Sequence, residues 1–529
     1  MTFDLLIRHG TIVDGTGAPG FRADLGVRGD RIAAIAPTLD APARRTLDAG
    51  GLVVAPGFID AHTHSDFTLL SVPGADSKVR QGITTEVVGN CGFSPAPVAP
   101  QTLALLKEYV GFLNPDLPWN WQRLGEFYAQ VEARGCAINV VPLVGHGAVR
   151  IAVMGFANRP PDADELRRMQ QLVAEAMADG AFGLSSGLIY TPGCYADTAE
   201  LIALAQVVRG GGLYATHMRG EGGTLLEALA EALRIGEEAG VPVQVSHLKA
   251  AGRENWGKMA PALRMLEEAS ARGLAVTADI YPYTAGSTTM TSLFPAWSLE
   301  GGLARFLARL RDAATRRRIV EEMQGGEGGW TRANGSLRWE DIVIASCRHQ
   351  KAFEGQSVAQ LAAALGQEPA EAMMDFLLAE EGKVSVVLFM MSEDNVARGL
   401  VHPLLMIGSD SLALTAGRGG KPHPRTYGTF PRVLGKYVRQ ERLLSLEAAV
   451  HKMTAMAAAK FGLADRGVLA EGKAADITVF DAATVGDQAT YAQPHQYPTG
   501  IAYVIVNGEL VVEQGTQHPV LPGRVLRKA

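Results

Sequence analysis

Short apolar runs alternate with longer amphipathic stretches through the middle of this chain. Eight runs stand out: GLVVAPGFIDAHTH, ITTEVVGNCG, AINVVPLVGH, GAFGLSSGL, GLYATHMRG, VPVQVSHLK, LAVTADIYPY and PLLMIGSDS. Between most of them lie segments such as ADELRRMQQLVAEAMADG and TLLEALAEALRIGEEAG, whose apolar residues recur at helical spacing. Strands separated by helical stretches build βαβ units and a parallel sheet. Eight such units predict an α/β fold, a closed (β/α)8 TIM-like barrel.

The two ends have a different texture. DLLIRHGTIVDG, DLGVRGDRIAAIAP and RRTLDAGGLVVAPG at the start, and DRGVLAEGKAADITVFD and IAYVIVNGELVVEQG near the end, read as short strands and turns. VIVNGELVVEQG alternates around Asn-Gly, a hairpin signal. Chain ends often lie close together, so both ends are expected to form one small β-sandwich domain from residues 1–55 and 463–529. The barrel then occupies 56–462. About 120 residues separate IYPY from LLMIGSD. That is too long for one βα connection, and it predicts an insertion, or lid, over 294–400 between strands seven and eight.

Composition narrows the class without naming a chemistry. The 529 residues are 47% apolar and 20% charged, with a formal net charge of −6. These are the proportions of an ordinary globular protein. No basic block marks a nucleic-acid footprint. Asp4, Arg8, His9 and Asp14 interrupt the first residues, which argues against a signal peptide or a membrane span. Cysteines at 91, 136, 194 and 347 show no paired spacing, and reduced thiols in a cytoplasmic protein are the simplest expectation. The expected partner is a small molecule, neither nucleic acid nor membrane, and a homo-oligomer is left open.

Catalytic groups in such barrels sit at the C-terminal ends of the strands. Here those ends carry His62 and His64, Cys91, His146, His217, His247 and Asp410. His62 and His64 share parity, so both face one side of an extended segment. Taken singly, a cysteine in an apolar run is core filler, a strand-end histidine a structural residue, and an aspartate in GSDS a turn former. Imidazole and thiolate donors converging on one rim instead point to a metal site.

GFIDAHTHSD, VVGNCGFSPAP, ATHMRGEG, VSHLK, IYPYTAGST, MIGSDS and GKAADITVFD resemble the amidohydrolase superfamily, and more narrowly its N-acyl-D-amino-acid deacylase (D-aminoacylase) branch. The resemblance runs over nearly the whole chain. It implies zinc-dependent hydrolysis of N-acyl-D-amino acids to a carboxylate and a free D-amino acid, with one or two Zn2+ ions. Many amidohydrolases place a carbamylated lysine on strand four, but here that strand reads GLSSGL, and the branch resembled uses the strand-two cysteine instead. By resemblance Cys91, His217 and His247 hold the tighter zinc, His62 and His64 belong to a second site, and Asp410 is the general base and acid for a metal-activated water.

The free carboxylate of such a substrate needs cationic or hydroxyl donors. Lys249 shares a face with His247. Tyr281, Tyr283 and Ser287 follow strand seven, and Arg425 follows strand eight. Resemblance places Lys249, Tyr281, Ser287 and Arg425 around the carboxylate and Tyr190 near the scissile group; surface or packing roles stay open for each. Met290, Leu293, Phe294 and Trp297 suggest a pocket for an apolar side chain, or else the core of the insertion. Two rival readings are a cyclic amidase of hydantoinase or dihydroorotase type, against which the missing lysine and Cys91 argue, and a metal-free scaffold descended from such enzymes.

Overall fold

The computed structural model describes residues 2–113, 116–324 and 337–528. Residues 325–336 of the expected insertion lie outside them. Seven of the eight apolar runs contribute one strand each to two parallel sheets, and AINVVPLVGH contributes two. β6 (Phe58–Asp60), β7 (Ile83–Val88) and β8 (Asn139–Pro142) form one parallel sheet. A second parallel sheet runs β17–β13–β12–β11–β10–β9, where β9 is Val144–Gly145, β10 Gly183–Gly187, β11 Leu213–His217, β12 Val243–Val245, β13 Val276–Ile280 and β17 Leu405–Ile407. Only Leu143 separates β8 from β9. At the opposite ends, Thr63 bridges Ser411 in parallel, Asp410 N donates to His62 O at 2.8 Å, and His64 N donates to Ser411 O at 2.9 Å.

Helices cover the outer faces of these strands. Ala163–Ala178 begins at Asp162, whose side chain accepts from the backbone of Asp164 and Glu165, with Glu165 returning the bond: a capping box. Met169, Val173 and Ala176 are its buried face. Leu225–Ala239 ends at Gly240, whose φ of 70° suits the left-handed C-cap that glycine adopts freely.

The ends of the chain do meet. β1 (Phe3–Ile12), β2 (Phe21–Arg28), β3 (Arg31–Ala36), β4 (Ala43–Asp48) and β5 (Val53–Pro56) share one nine-stranded sheet with β18 (Ile477–Phe480), β19 (Ile501–Val506), β20 (Glu509–Glu513) and β21 (Thr516–Gln517). β5 and β18 join the halves, with Val54 opposite Val479. Asn507 (φ 49°) and Gly508 (φ 83°) turn the β19–β20 hairpin at the expected dipeptide. The last residues leave this sheet and run along β8: Val140 N donates to Arg524 O at 2.9 Å and Leu526 N donates to Val140 O at 2.8 Å.

The long segment after β13 starts earlier than 294. β14 (Ala285–Thr289), β15 (Ile342–Ser346) and β16 (Ser385–Phe389) make a three-stranded antiparallel sheet, so Ser287 already belongs to it. Helix Val358–Leu365 packs on β15, and helix Pro369–Ala379 packs against that helix. No described helix is long and apolar enough to cross a membrane. Cys91, Cys136, Cys194 and Cys347 are all unpaired.

Candidate metal centre

Three backbone turns present the centre. Cys91 (φ 55°), His247 (φ 33°) and Asp410 (φ 50°) all lie in the left-handed region, which non-glycine residues enter only when the surroundings hold them there. Each follows the end of a strand: β7, β12 and β17. Close packing makes the turns possible. A Cβ on Gly187 would come within 2.1 Å of the Cys91 carbonyl oxygen, so only glycine lets β10 approach the Cys91 loop.

The donors converge. Cys91 Sγ lies 3.2 Å from His62 Nε2 and 3.4 Å from His247 Nε2. With an Asp410 oxygen, these atoms all fall within 4.8 Å of one another. A second group, His217, Glu221 and His247, meets the same limit and shares His247 with the first. His64 Nε2 sits 3.2 Å from Asp410 Oδ1. The structure thus gathers all five expected ligands and Asp410. By proximity it groups His62 with Cys91 and His247, and His217 with Glu221, whereas the resemblance pairs His62 with His64. His146 stands apart, its Nε2 2.8 Å from Glu200, which also binds Arg150.

The residues fit a metal ion. Among the described residues, both ring nitrogens of buried His217 and Nδ1 of His64 lack hydrogen-bond partners. Buried polar atoms left this way are costly unless something else satisfies them. Burial pushes the pKa values of His217 and His247 well below the usual histidine value, so both rings are neutral and ready to donate a lone pair. Burial also pushes the Cys91 thiol up to about 11, so it stays protonated until a cation displaces its proton. Imidazole, thiolate and carboxylate donors are the set that suits zinc.

Two carboxylates that sequence reasoning missed lie behind the candidate ligands. Glu221 Oε1 is 3.0 Å from His247 Nδ1 and accepts from Lys249 Nζ at 2.5 Å. Asp279 Oδ1 lies 3.2 Å from His62 Nδ1 and accepts from His247 N at 2.8 Å. Such carboxylates fix the tautomer and aim of a ligating ring. Glu221 follows His217 by four residues in ATHMRGEG, and Asp279 precedes IYPY, but nothing in their spacing marks either as a partner.

Burial alone would raise the Asp410 pKa, yet the Arg425 guanidinium, His247 and the His64 hydrogen bond hold it well below the usual carboxylate range. Arg425 Nη1 sits 2.9 Å from Asp410 Oδ2, and its Nη2 donates to Ser287 O at 3.3 Å. Tyr281 lies between two cations, with Arg425 4.6 Å and Lys249 5.8 Å from its ring centroid. Tyr190, Lys249, Tyr281 and Ser287 line a small cavity of about 30 Å³ with His217, His247 and Asp410. That cavity opens beside a mouth of about 680 Å³ lined by His64, Arg425 and the insertion. Tyr283 instead packs beneath Arg432, 4.8 Å from its ring. Of the suggested pocket residues, Phe294 lines an apolar recess with Phe112, Phe156, Ile189 and Leu299 beside Tyr190. Met290 and Leu293 are buried core, and Trp297 stacks under Arg318 and bonds to Glu322, so these three do not line it.

A family model described as "Amidohydrolase family" matches residues 45–512. The chain belongs to the amidohydrolase family. It is 40% identical to the D-aminoacylase of Alcaligenes xylosoxydans xylosoxydans, over 99% of this chain and 98% of that protein. It is 41% identical to the N-acyl-D-glutamate deacylase of the same organism, over 99% and 96%. Among solved structures, this amidohydrolase superposes with a TM-score of 0.84 on the N-acyl-D-glutamate deacylase of Bordetella bronchiseptica complexed with zinc and a phosphonate inhibitor, at 37% identity and with both chains fully covered.

Proposed function

We propose that this amidohydrolase cleaves the amide bond of N-acyl-D-amino acids with zinc held by the gathered donors. The observation that carries the reading is the cluster of His62, Cys91, His247 and Asp410 within 4.8 Å, with Arg425 paired to the same aspartate. The full-length similarity to D-aminoacylase and N-acyl-D-glutamate deacylase supports the substrate class. We infer that the two parallel arcs close into a (β/α)8 barrel through the Thr63–Ser411 seam.

Zinc, when bound, supplies the Lewis acidity that polarises an amide carbonyl and acidifies water. Cys91, His217 and His247, with His62 and His64, would hold one or two ions. The chain's own groups do the rest. Asp410 is kept ionised and is the carboxylate beside the donors that lines both the small cavity and the mouth, so it accepts the proton from the attacking water and returns it to the departing amine nitrogen. Lys249, Tyr281, Ser287 and Arg425 border the space for the substrate carboxylate, and the Tyr190 ring packs 5.1 Å from His217, at the scissile side.

The recess formed by Phe112, Phe156, Ile189, Phe294 and Leu299 favours an apolar substrate side chain. One observation favours an acidic side chain instead: Lys383 lines both recess and mouth and has no carboxylate partner among the described residues. A panel of N-acetyl D- and L-amino acids with defined zinc tests both readings. Cleavage of D-leucine, D-methionine and D-phenylalanine derivatives, with D-glutamate slower and L-isomers inert, is the expected result. Cleavage of L-isomers or of cyclic amides alone defeats the proposed activity.

A further inference from the structure

A second buried polar cluster borders Asp410 and plays no part in the chemistry above. Lys78, on the short helix Asp76–Val79 between β6 and β7, is fully buried. Its ammonium lies 3.1 Å from Asp60 Oδ2, 2.8 Å from Glu86 Oε1, 2.8 Å from Ser409 Oγ and 2.9 Å from Ser411 Oγ. Three protons are thus shared among four partners. Asp60 and Glu86 supply the charge that a buried ammonium requires. The two serines supply none, and they are the residues on either side of Asp410.

Asp410 holds a φ of 50°, a backbone state that persists only where neighbouring contacts over-determine it. Those contacts are present. Ser409 N donates to Asp60 Oδ1 at 2.7 Å and Ser409 Oγ to Asp60 Oδ2 at 2.5 Å. Asp410 N donates to His62 O at 2.8 Å. The residues beside Lys78 extend the clamp. Ser77 N donates to Leu414 O at 3.0 Å, Leu414 N to Ser77 Oγ at 3.0 Å, and Thr415 Oγ1 to Asp76 Oδ2 at 2.8 Å. Gln81 Nε2 donates to the carbonyl of Thr426, next to Arg425, at 2.9 Å. One stretch, residues 76–81, therefore ties down both the loop that carries Asp410 and the helix that carries Arg425.

The geometry points to Lys78 as a positioning residue for Asp410: by gripping both flanking serines it fixes the left-handed turn that aims the carboxylate at the metal donors. This rests on the proposed role of Asp410 as proton acceptor. A small misplacement of a reacting group costs rate far more than it costs binding.

The test compares zinc-loaded Ser411→Ala, Lys78→Met and Asp410→Asn with the parent enzyme on an N-acetyl-D-amino acid. Ser411→Ala leaves the Lys78, Asp60 and Glu86 charges paired, so it carries the decision where Lys78→Met does not fold. The expected result for Ser411→Ala is a kcat lower by about tenfold, KM within about twofold, and unchanged zinc content and Tm. A larger kcat loss with the same KM is expected for Lys78→Met. A Ser411→Ala kcat within about twofold of the parent, or a loss matched by lost zinc or raised KM, overturns the positioning role. Inactive Asp410→Asn beside normal Ser411→Ala overturns this inference alone, whereas active Asp410→Asn overturns the role of Asp410 itself.

Discussion

Arg425 places its guanidinium 2.9 Å from the carboxylate of Asp410, fifteen positions away in the chain, at the wall of the mouth. A charge-assisted pair of this kind sets both the ionisation of the acid and its direction. It also means that Arg425, expected to meet the substrate carboxylate, is already engaged with the proposed base.

Replacing Arg425 with Met removes the cation that most lowers the Asp410 pKa. The acid limb of the kcat/KM profile should then move to higher pH, because a carboxylate with less stabilisation of its charged form protonates sooner as pH falls. KM for N-acyl amino acids should rise by about tenfold, as a charge-assisted contact is lost. A pH–rate series on the variant checks both; an unmoved acid limb would show that Arg425 does not govern Asp410.

Asp410→Asn keeps the shape and removes the base. Turnover should fall by a factor of about 10² or more with zinc content near that of the parent. Cys91→Ala should show the opposite order, losing zinc first and activity with it, since the Cys91 sulfur lies within 3.4 Å of both His62 and His247 Nε2 in the proposed donor cluster. Metal analysis beside steady-state kinetics separates the two cases.

Glu221 touches the His247 ring and the Lys249 ammonium through one oxygen. Glu221→Gln should weaken zinc affinity by about 10- to 100-fold, the usual effect of removing a carboxylate behind a ligating histidine. KM should rise with it, because Lys249 loses its anchor. A chelator titration reads the first effect; full zinc retention would remove Glu221 from that role.

Gly187→Ala adds a methyl 2.1 Å from the Cys91 carbonyl oxygen. No rotamer can relieve a clash with backbone, so β10 or the Cys91 loop has to move. Lower Tm and lower zinc content together are the expected outcome. A variant with parent-like zinc binding would show that the loop tolerates the shift.

Much of this was legible along the chain. The eight apolar runs all became parallel strands, AINVVPLVGH as two of them, because strand and helix periods are local properties of side-chain order. The Asn507-Gly508 turn and the Asp162 cap are likewise local, decided within a few residues. The HxH pair, Cys91, His217, His247 and Asp410 could be nominated because each ends a strand, and strand ends face one rim. His146 met the same criterion and went elsewhere, since Glu200 and not the cluster takes its ring nitrogen.

What the sequence determined by itself was therefore the order and kind of the elements and the donors at their ends, because those follow from residue chemistry at short range. Tertiary structure alone decided the partners: Glu221 behind His247, Asp279 behind His62, Arg425 on Asp410, Lys78 beneath Ser409 and Ser411. Those pairings join side chains up to hundreds of residues apart. Whether a buried charge stabilises or disrupts depends on distances of a few ångströms that no spacing along the chain can encode.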